Sequence, residues 1–393
     1  MTQLRWFTAG ESHGRALTAI VEGVPAGLEI TEERIRADLA RRQKGYGRGK
    51  RQEIEVDWAN ITAGVRHGKT MGDPIAMWID NADWENANWQ VRMAVGPVDQ
   101  VVEPVTLLRP GHADLAGTQK YGLDDVRPIL ERSSARETAA RVAVGAVARA
   151  LLAELGVTIH SHVLRVGSVV ASPPEQVDWA AVEASPVRVG DPSVEQRMIE
   201  EIDAAKDARD TIGGVFEVRA SGLPFGLGSH VHWDRKLDGL IAQAFLAIHA
   251  VKGVEVGDAW ENATKRGSQV QDIILPRQQW SERPWQRATN RAGGLEGGMT
   301  NGEDIVVRAA IKPISTVPQR MPTADLLTGE ETTSFYERSD ACVVPAAGVI
   351  GEAMLAIVLA TAALEKFGGD HVDEFRRNFL AFQATVGPRN VRD

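Results

Sequence analysis

Two histidines stand in glycine turns, His13 within Gly10-Glu11-Ser12-His13-Gly14 and His112 within Arg109-Pro110-Gly111-His112-Ala113-Asp114. Imidazole changes charge near neutral pH and a turn leaves it reachable, so both are candidates for proton transfer. A structural or merely exposed histidine fits either turn equally well; the catalytic reading requires that they converge with the arginines. Asp340, directly after Arg338-Ser339, is a candidate base held by an ion pair, with helix capping as its competing role. Arg42, Arg48 and Arg51 lie among Gly45, Gly47 and Gly49, and the stretch Lys44 to Arg51 has neither a helical nor a strand period. Glycine lets a backbone approach a ligand closely, and guanidinium forks suit carboxylates and phosphates, so this stretch reads as a lid over a small polyanion. A solvated charge run or a nucleic-acid patch is the rival reading.

A third group of candidates surrounds Arg132, Ser133 and Ser134, at the entry of an Ala- and Val-rich segment, Glu131 to Glu154. Ser134 with Glu137 three residues on reads as a capping box, which starts a helix at about Ala135, and Gly156 ends it. A helix start presents free N–H groups and partial positive charge, and so suits a phosphate or carboxylate; a cap with its arginine in water is the alternative. Asn290 to Gly302 carries too many glycines for a packed strand and reads as a loop able to lie against a planar or phosphorylated ligand. Lys312, Ser315 and Thr316 add a cation and hydroxyls nearby. The loop matches neither the dinucleotide fingerprint nor the P-loop. His160 with His162, and His230 with His232, are spaced to share a strand face, but no third ligand has evident spacing and no metal site is assigned.

The elements that must hold these residues come from an ordinary globular composition of 393 residues, 43% hydrophobic and 25% charged, enough for one large core or two. A formal net charge of −9 argues against broad nucleic-acid binding, so each basic cluster needs a specific anion. The lone cysteine, Cys342, excludes an intrachain disulfide and a cysteine-built metal site and fits a reducing compartment. No signal-peptide pattern opens the chain, and the most membrane-like run, Cys342 to Leu364, contains Pro345 and Glu352 and reads as a buried helix. A cytoplasmic protein with no membrane partner is the expectation. Strands are predicted at Leu4 to Thr8, Ala16 to Val24, Ile54 to Val65, Pro74 to Ile79, Val157 to Val170, Gly214 to Ser221 and Ile305 to Ile311. Helices are predicted from Thr31 to about Arg42, from Ser193 to about Ala208, over Leu237 to Val251, and over Ala346 to Phe367. Residues 80 to 110 read as a long loop.

A repeat links the halves. Gly23-Val24-Pro25-Ala26-Gly27-Leu28 recurs as Gly222-Leu223-Pro224-Phe225-Gly226-Leu227, the glycine-rich stretch from Gly64 recurs from Gly294, and Glu131-Arg132-Ser133 recurs as Glu337-Arg338-Ser339. The separations are 199 (23 to 222), 230 (64 to 294) and 206 (131 to 337) residues, so the insertions differ while the order holds. Equivalent buried helices packed between sheets from the two halves follow. The expectation is a single domain over residues 1–393, with pseudo-repeats at about 1–156 and 210–369.

Taken together, GESHG, the Arg-Arg pair before GYGRG, RPGHAD, RSSARET, NRAGGLEGGMTNG, KPIST at Lys312 to Thr316, and Arg338-Ser339-Asp340 make the whole chain resemble the chorismate synthase family. The resemblance implies an α+β fold, a β-α-β sandwich with an internal pseudo-twofold repeat and long Ala-rich helices between sheets, assembled as a homotetramer. It implies an anti 1,4-elimination of phosphate from 5-enolpyruvylshikimate 3-phosphate, dependent on reduced FMN (FMNH2) without net redox change. By resemblance the flavin falls on Arg132, Ser133, Ser134, His249, Ala250, Gly297, Lys312, Pro313, Ile314, Ser315, Thr316 and Arg338. The substrate phosphate and carboxylates fall on Arg42, Arg48, Arg109 and Arg136. Arg42 and Arg48 also match positions assigned to NADPH in members that reduce their own flavin. The roles assigned on this basis are that His13 protonates the departing phosphate, His112 holds a proton near flavin N1 and Asp340 relays one at flavin N5. The tryptophan-rich region 78 to 99 matches no family motif and receives no role. An FMN-dependent oxidoreductase on a small anionic substrate is the second reading, distinguished by net NAD(P)H consumption, and a nucleic-acid or scaffold protein the third.

Overall fold

In the computed structural model, which describes residues 4–49, 55–172, 174, 176–281 and 283–389, the first half lays down β1 (Arg5–Ala9), β2 (Ala16–Glu22), α1 (Glu32–Gln43), β3 (Ala59–Ala63), the hairpin β4 (Val65–Arg66) and β5 (Lys69–Thr70), β6 (Ile75–Asp80) and the helix α2 (Thr138–Ala153). Its sheet has the order β1-β2-β6-β3, antiparallel throughout. Alternation drives the burial: Leu17, Ala19 and Val21 of β2 face the core while Ile20 and Glu22 face outward. The Thr31 hydroxyl caps α1 by accepting from the Arg34 N–H, and Glu32 and Glu33 in its first turn and Arg41 and Arg42 in its last complement the helix dipole.

The second half supplies β7 (Thr158–Val166), β8 (Val169–Val170), β9 (Gly214–Ser221), α3 (Leu237–Leu246), β10 (Val251–Val256), the hairpin β11 (Leu295–Glu296) and β12 (Met299–Thr300), β13 (Ile305–Ile311) and the helix α4 (Val344–Phe367). Here the order is β8-β7-β9-β13-β10, so apart from β8 it repeats the first sheet strand for strand. The equivalence reaches single hydrogen bonds. Thr70 Oγ1 donates to the Pro25 carbonyl at 2.6 Å and accepts the Leu28 N–H at 3.0 Å; Thr300 Oγ1 donates to the Pro224 carbonyl at 2.6 Å and accepts the Leu227 N–H at 2.8 Å. The fold is an α+β sandwich with an internal pseudo-twofold repeat.

Between the sheets lie α2 and α4, packed on each other, with α2 against β2 and α4 against β7 and β9. Small residues set the distance: a Cβ on Gly145 would fall 2.3 Å from the Ala353 Cβ. By length and composition α4 could cross a membrane, but 89% of its most apolar window is buried inside the fold, where both halves contribute to the same core. One carboxylate interrupts it. Glu352 is fully buried and accepts from Arg41 at 2.7 Å, Arg149 at 3.0 Å and Ser161 at 2.6 Å. Burial pushes its carboxyl up, but the Arg41 and Arg149 charges outweigh it and hold the group below the usual range.

Several boundaries move. A 3-10 turn, Ala135–Glu137, precedes α2, because Ser134 caps the Arg136 N–H while the Glu137 carboxylate is directed to Thr8 and Arg141 instead of closing a capping box. The helix predicted over Leu237 to Val251 stops at Leu246, since Val251, Val254 and Val256 pair with β13 and Ala250 takes the left-handed conformation (φ 64°). The strand predicted from Val157 to Val170 folds into a β7–β8 hairpin around Gly167, also left-handed at φ 52°. Asp191, not Ser193, provides the side-chain cap that leads into the helix Glu195–Asp207. Within residues 80 to 110 a 3-10 turn (Ala82–Glu85) and a short helix (Ala87–Arg92) form. Lys50, Arg51 and Ile54 lie outside the described residues, and the strand predicted to begin at Ile54 runs over Ala59–Ala63.

Two stability predictions follow from this packing. Gly145→Ala should lower the free energy of unfolding by about 1–3 kcal/mol, because the new methyl overlaps Ala353. Gly239→Ala in α3, where a Cβ meets nothing within 4 Å, should instead leave stability equal or raise it by up to ~1 kcal/mol, as read by urea titration. Glu217 is the second case. Burial raises its pKa, yet the His162 hydrogen bond and the Arg219 and Arg308 charges outweigh that and hold it at about 2, below its ordinary 4.5. Its stabilisation is therefore complete above pH 4.5 and lost as pH falls toward 2. Urea midpoints measured across that window should fall less steeply in Glu217→Gln than in the parent.

Candidate functional site

A cleft of about 560 Å³ opens where α2 and α4 begin, with Thr138 from the first turn of one, and Ala346 and Ala347 from the first turn and Ile350 from the second turn of the other, in its wall. The positive ends of two helix dipoles give this end partial positive charge. Arginines reinforce it. Arg42, 3% exposed in the last turn of α1, donates to Thr138 Oγ1 and to the Ala135 carbonyl, both at 2.9 Å, and pairs with Asp57 at 3.4 Å. Burial lowers its pKa to about 10; Asp57 opposes that, and the nearby Arg48 and Arg136 charges add to it. Arg136 shares Asp57 and donates to Asn81 Oδ1 at 2.8 Å.

The glycine-loosened loop is fastened to the other half of the chain. Gly47 accepts the Ala341 N–H at 2.8 Å, and at its φ of 91° a Cβ would fall 2.9 Å from the Cys342 Cβ, so only glycine fits. Gly49 donates to Asp340 Oδ1 at 2.6 Å, and Arg48 pairs with Asp340 Oδ2 at 3.0 Å. Arg48 Nε is buried with no hydrogen-bond partner among the described residues. Burial pushes the Cys342 thiol up to about 11, so it stays protonated and inert beneath this loop.

Each candidate histidine is backed by a carboxylate. His13 Nδ1 lies 3.0 Å from Glu131 Oε1, and the His13 backbone N–H donates to Glu131 Oε2 at 2.7 Å. Glu131, 1% exposed, is held by Arg127 at 3.2 Å, and Arg127 also donates to Glu337 at 2.6 Å, so one guanidinium bridges the two glutamates of the repeated Glu-Arg-Ser. His112 Nδ1 lies 2.5 Å from Asp114 Oδ1, while Arg109 grips the same carboxylate through Nε and Nη2, both at 2.9 Å. Burial raises the Asp114 carboxyl, but the His112 and Arg109 hydrogen bonds outweigh it and hold it well below the usual carboxylate range. A carboxylate at Nδ1 favours the tautomer with the proton there; His13 Nε2 then lies 3.9 Å from Asp83 and His112 Nε2 lies 3.4 Å from Arg109 Nη2.

The opposite wall is the segment after β13. Lys312 Nζ donates to Ser315 Oγ at 2.8 Å and to the Gly111 carbonyl at 3.2 Å, and Arg109 donates to Thr316 Oγ1 at 3.0 Å, which ties this wall to the His112 turn. His249 completes it. Burial, then the Arg141 charge, lowers its pKa to about 4, and its Nδ1 has no partner among the described residues.

Of the residues singled out in the sequence, His13, His112, Asp340, Arg42, Arg48, Arg109, Arg136, Ser133, Ser134, His249, Ala250, Lys312, Ile314, Ser315, Thr316 and Arg338 line this one cleft. Arg132 does not; it turns outward to the Thr8 and Gly10 carbonyls. Pro313 is in the wall segment but not on its surface, and Gly297 sits in the β11–β12 hairpin beside His230. Sequence reasoning passed over Glu131, Asp114, Asp57 and Trp89. Asp114, two residues after His112, and Glu131, repeated as Glu337, carried a readable signal; Asp57 and Trp89 carried none. His160 and His162 have local partners, a stack on Trp179 and a 3.0 Å contact to Glu217.

Comparison with known proteins gives a consistent relationship. The family model described as chorismate synthase matches residues 4–364. Chorismate synthase of Salinispora tropica is 54% identical over 390 residues, covering 96% of this chain and 98% of the relative, and that of Mycobacterium avium is 54% identical over 399 residues, covering 99% and 98%. A crystal structure of a chorismate synthase superposes with a TM-score of 0.77 at 43% identity, covering 98% of both chains.

Arg48 Nε, without a partner among the described residues and lining a cationic cleft, predicts anion binding. Inorganic phosphate should raise the unfolding temperature, less so as sodium chloride is added. Arg48→Met should weaken the apparent phosphate affinity about 10-fold or more, since a hydrogen bond to a charged group is worth ~1.5–3 kcal/mol.

Proposed function

Because the chain belongs to the chorismate synthase family, and so is a carbon–oxygen lyase that eliminates phosphate from 5-enolpyruvylshikimate 3-phosphate to give chorismate, we propose that the cleft at the start of α2 and α4 is its active site. The observation that carries this reading is the convergence of His13, Arg48, His112 and Arg338, from four separated motifs, on that cleft. Arg42 and Arg136, both tied to Asp57, act on the substrate phosphate and carboxylates chiefly through their field, whereas Arg48 has a donor to give and Arg109 holds the His112 turn in place. Phosphate is expelled at one carbon and hydrogen lost from another, so the site must stabilise charge on the leaving group and manage protons separately. His13, oriented by Glu131, protonates the departing phosphate; His112, oriented by Asp114, holds a proton at the far side; Asp340, between Arg48 and Gly49, relays one.

The residues present suit the reduced FMN that the family implies. Small and branched side chains from α4 offer an apolar surface, His249 Nδ1 is buried without a partner among the described residues, and Lys312 with Ser133, Ser134 and Ser315 supplies a cation and hydroxyls for a phosphate. Lys312 to Thr316, Ser133, Ser134, His249, Ala250 and Arg338 would hold it, with Arg132 and Gly297 as the family's further contacts. When bound, the reduced flavin supplies an electron-rich ring that lends charge as phosphate leaves. NADPH enters, at Arg42 and Arg48, only if the chain reduces its own flavin. We take the chain as one domain, which the core shared by both halves supports, forming a homotetramer in the cytoplasm, where a lone buried cysteine fits a reducing environment.

Anaerobic incubation with dithionite-reduced FMN and the enolpyruvyl substrate should release phosphate with only catalytic flavin and no net NAD(P)H consumption. His13→Ala and His112→Ala should each lower single-turnover rates by about 10- to 10,000-fold under those conditions. Near-normal rates in both variants would remove their proton-transfer roles.

A further inference from the structure

Trp89 lies in the tryptophan-rich excursion that no motif explains, yet it lines the cleft and its ring stacks on His13, with centroids 3.8 Å apart and planes 14° from parallel. The excursion is anchored at its root to the turn that carries His13. Asn81 Nδ2 donates to the Gly14 carbonyl at 2.7 Å and to the Glu11 carbonyl at 3.0 Å, while Asn81 Oδ1 accepts from Arg136. Its middle is clasped as well: Asp83 pairs with Arg338 at 3.1 Å and lies 3.9 Å from His13 Nε2, and the Arg127 guanidinium sits 5.3 Å from the Trp89 ring. Arg127 is the same residue that holds Glu131.

The backbone of the His13 turn is fastened, its own N–H to Glu131 and the Glu11 and Gly14 carbonyls to Asn81, but this sets where the Cα lies and not the plane of the imidazole, which turns about its side-chain bonds. Glu131 fixes one edge of the ring through Nδ1. Contacts in the ring plane, from Glu131 at Nδ1 and from Asp83 3.9 Å from Nε2, hold its edges but let it tip about the line between them; a flat surface against its face opposes that tipping, and an indole provides such a surface. We propose that Trp89 is a positioning residue for His13, setting the plane of the imidazole so that Nε2 faces the leaving group. The inference rests on the reading of His13 as the proton donor to the departing phosphate. It assigns to the 82–92 excursion the task of completing the site from outside the sandwich.

The test compares Trp89→Phe, which keeps an aromatic face, with Trp89→Leu, which keeps bulk without one, in single-turnover and steady-state assays with reduced FMN. Trp89→Phe should stay within about 3-fold of the parent, and Trp89→Leu should lose about 10- to 100-fold in kcat with KM changed by less than about 3-fold. Equal activity of the two variants, or a loss confined to KM, would overturn the proposal. Adding Trp89→Leu to His13→Asn should cost nothing further, because a residue acting through His13 has nothing left to act on; full additivity would overturn the Trp89 role and leave His13 intact. A His13→Asn variant with parental activity would instead overturn the His13 reading and the Trp89 role with it. Fluorescence gives a readout independent of turnover. Replacing His13 by Asn should change the tryptophan emission of the parent but not of Trp89→Phe, and an equal change in both backgrounds would show that the two rings do not stack.

Discussion

The close crossing of α2 and α4 is the constraint on which the rest depends. Gly145 lets the Ala353 methyl approach to a distance no other residue would permit, and two helices this apolar are stable in water only because sheets cover both sides of the pair. Since the first turns of both helices reach the same cleft, the positive ends of two helix dipoles are pooled at one place. The partial positive charge there is thus set by the core before any side chain is added. Ser133, Ser134 and the Arg338–Asp340 segment then occupy equivalent positions at the two helix entries.

Buried guanidinium groups are costly unless paired, and the cleft meets that cost with carboxylates drawn from distant segments. Asp57 serves both Arg42 and Arg136, Asp340 serves Arg48, Asp114 serves Arg109, and Glu131 with Glu337 serves Arg127. Each pair also fixes geometry. The carboxylates that neutralise Arg109 and Arg127 are the ones that orient His112 and His13, so charge balance and the alignment of the two imidazoles are produced by the same contacts. Removal of one partner would therefore disturb both at once.

Chemistry appears where the repeat is broken. The β1–β2 connection is the short turn bearing His13, whereas its counterpart between β7 and β9 is a long connection containing β8 and the helix Glu195–Asp207. Glu352, deep in α4, meets three arginines, while the repeat-equivalent position in α2 is Ala146. A symmetric sandwich supplies the frame, and asymmetric insertions supply one site on it rather than two.

Sequence alone was sufficient for the strands Gly214–Ser221 and Ile305–Ile311, both ends of α1, the long apolar helices and the repeat, because burial on one face writes a period that survives in a linear string. It was also sufficient for most cleft residues, whose motifs combine glycine turns with arginine and histidine. Boundaries failed where a local conformation overrode the period, as at left-handed Ala250 and Gly167, and where Glu137 found a tertiary partner in Thr8 rather than its own cap. What only the tertiary structure decided was partnership: Glu131 with His13, Asp57 with two arginines, Trp89 against an imidazole 76 residues away in the chain. Composition fixes which side chains seek burial or charge, but which pairs meet depends on how two sheets close over two helices, and no spacing along the chain encodes that distance.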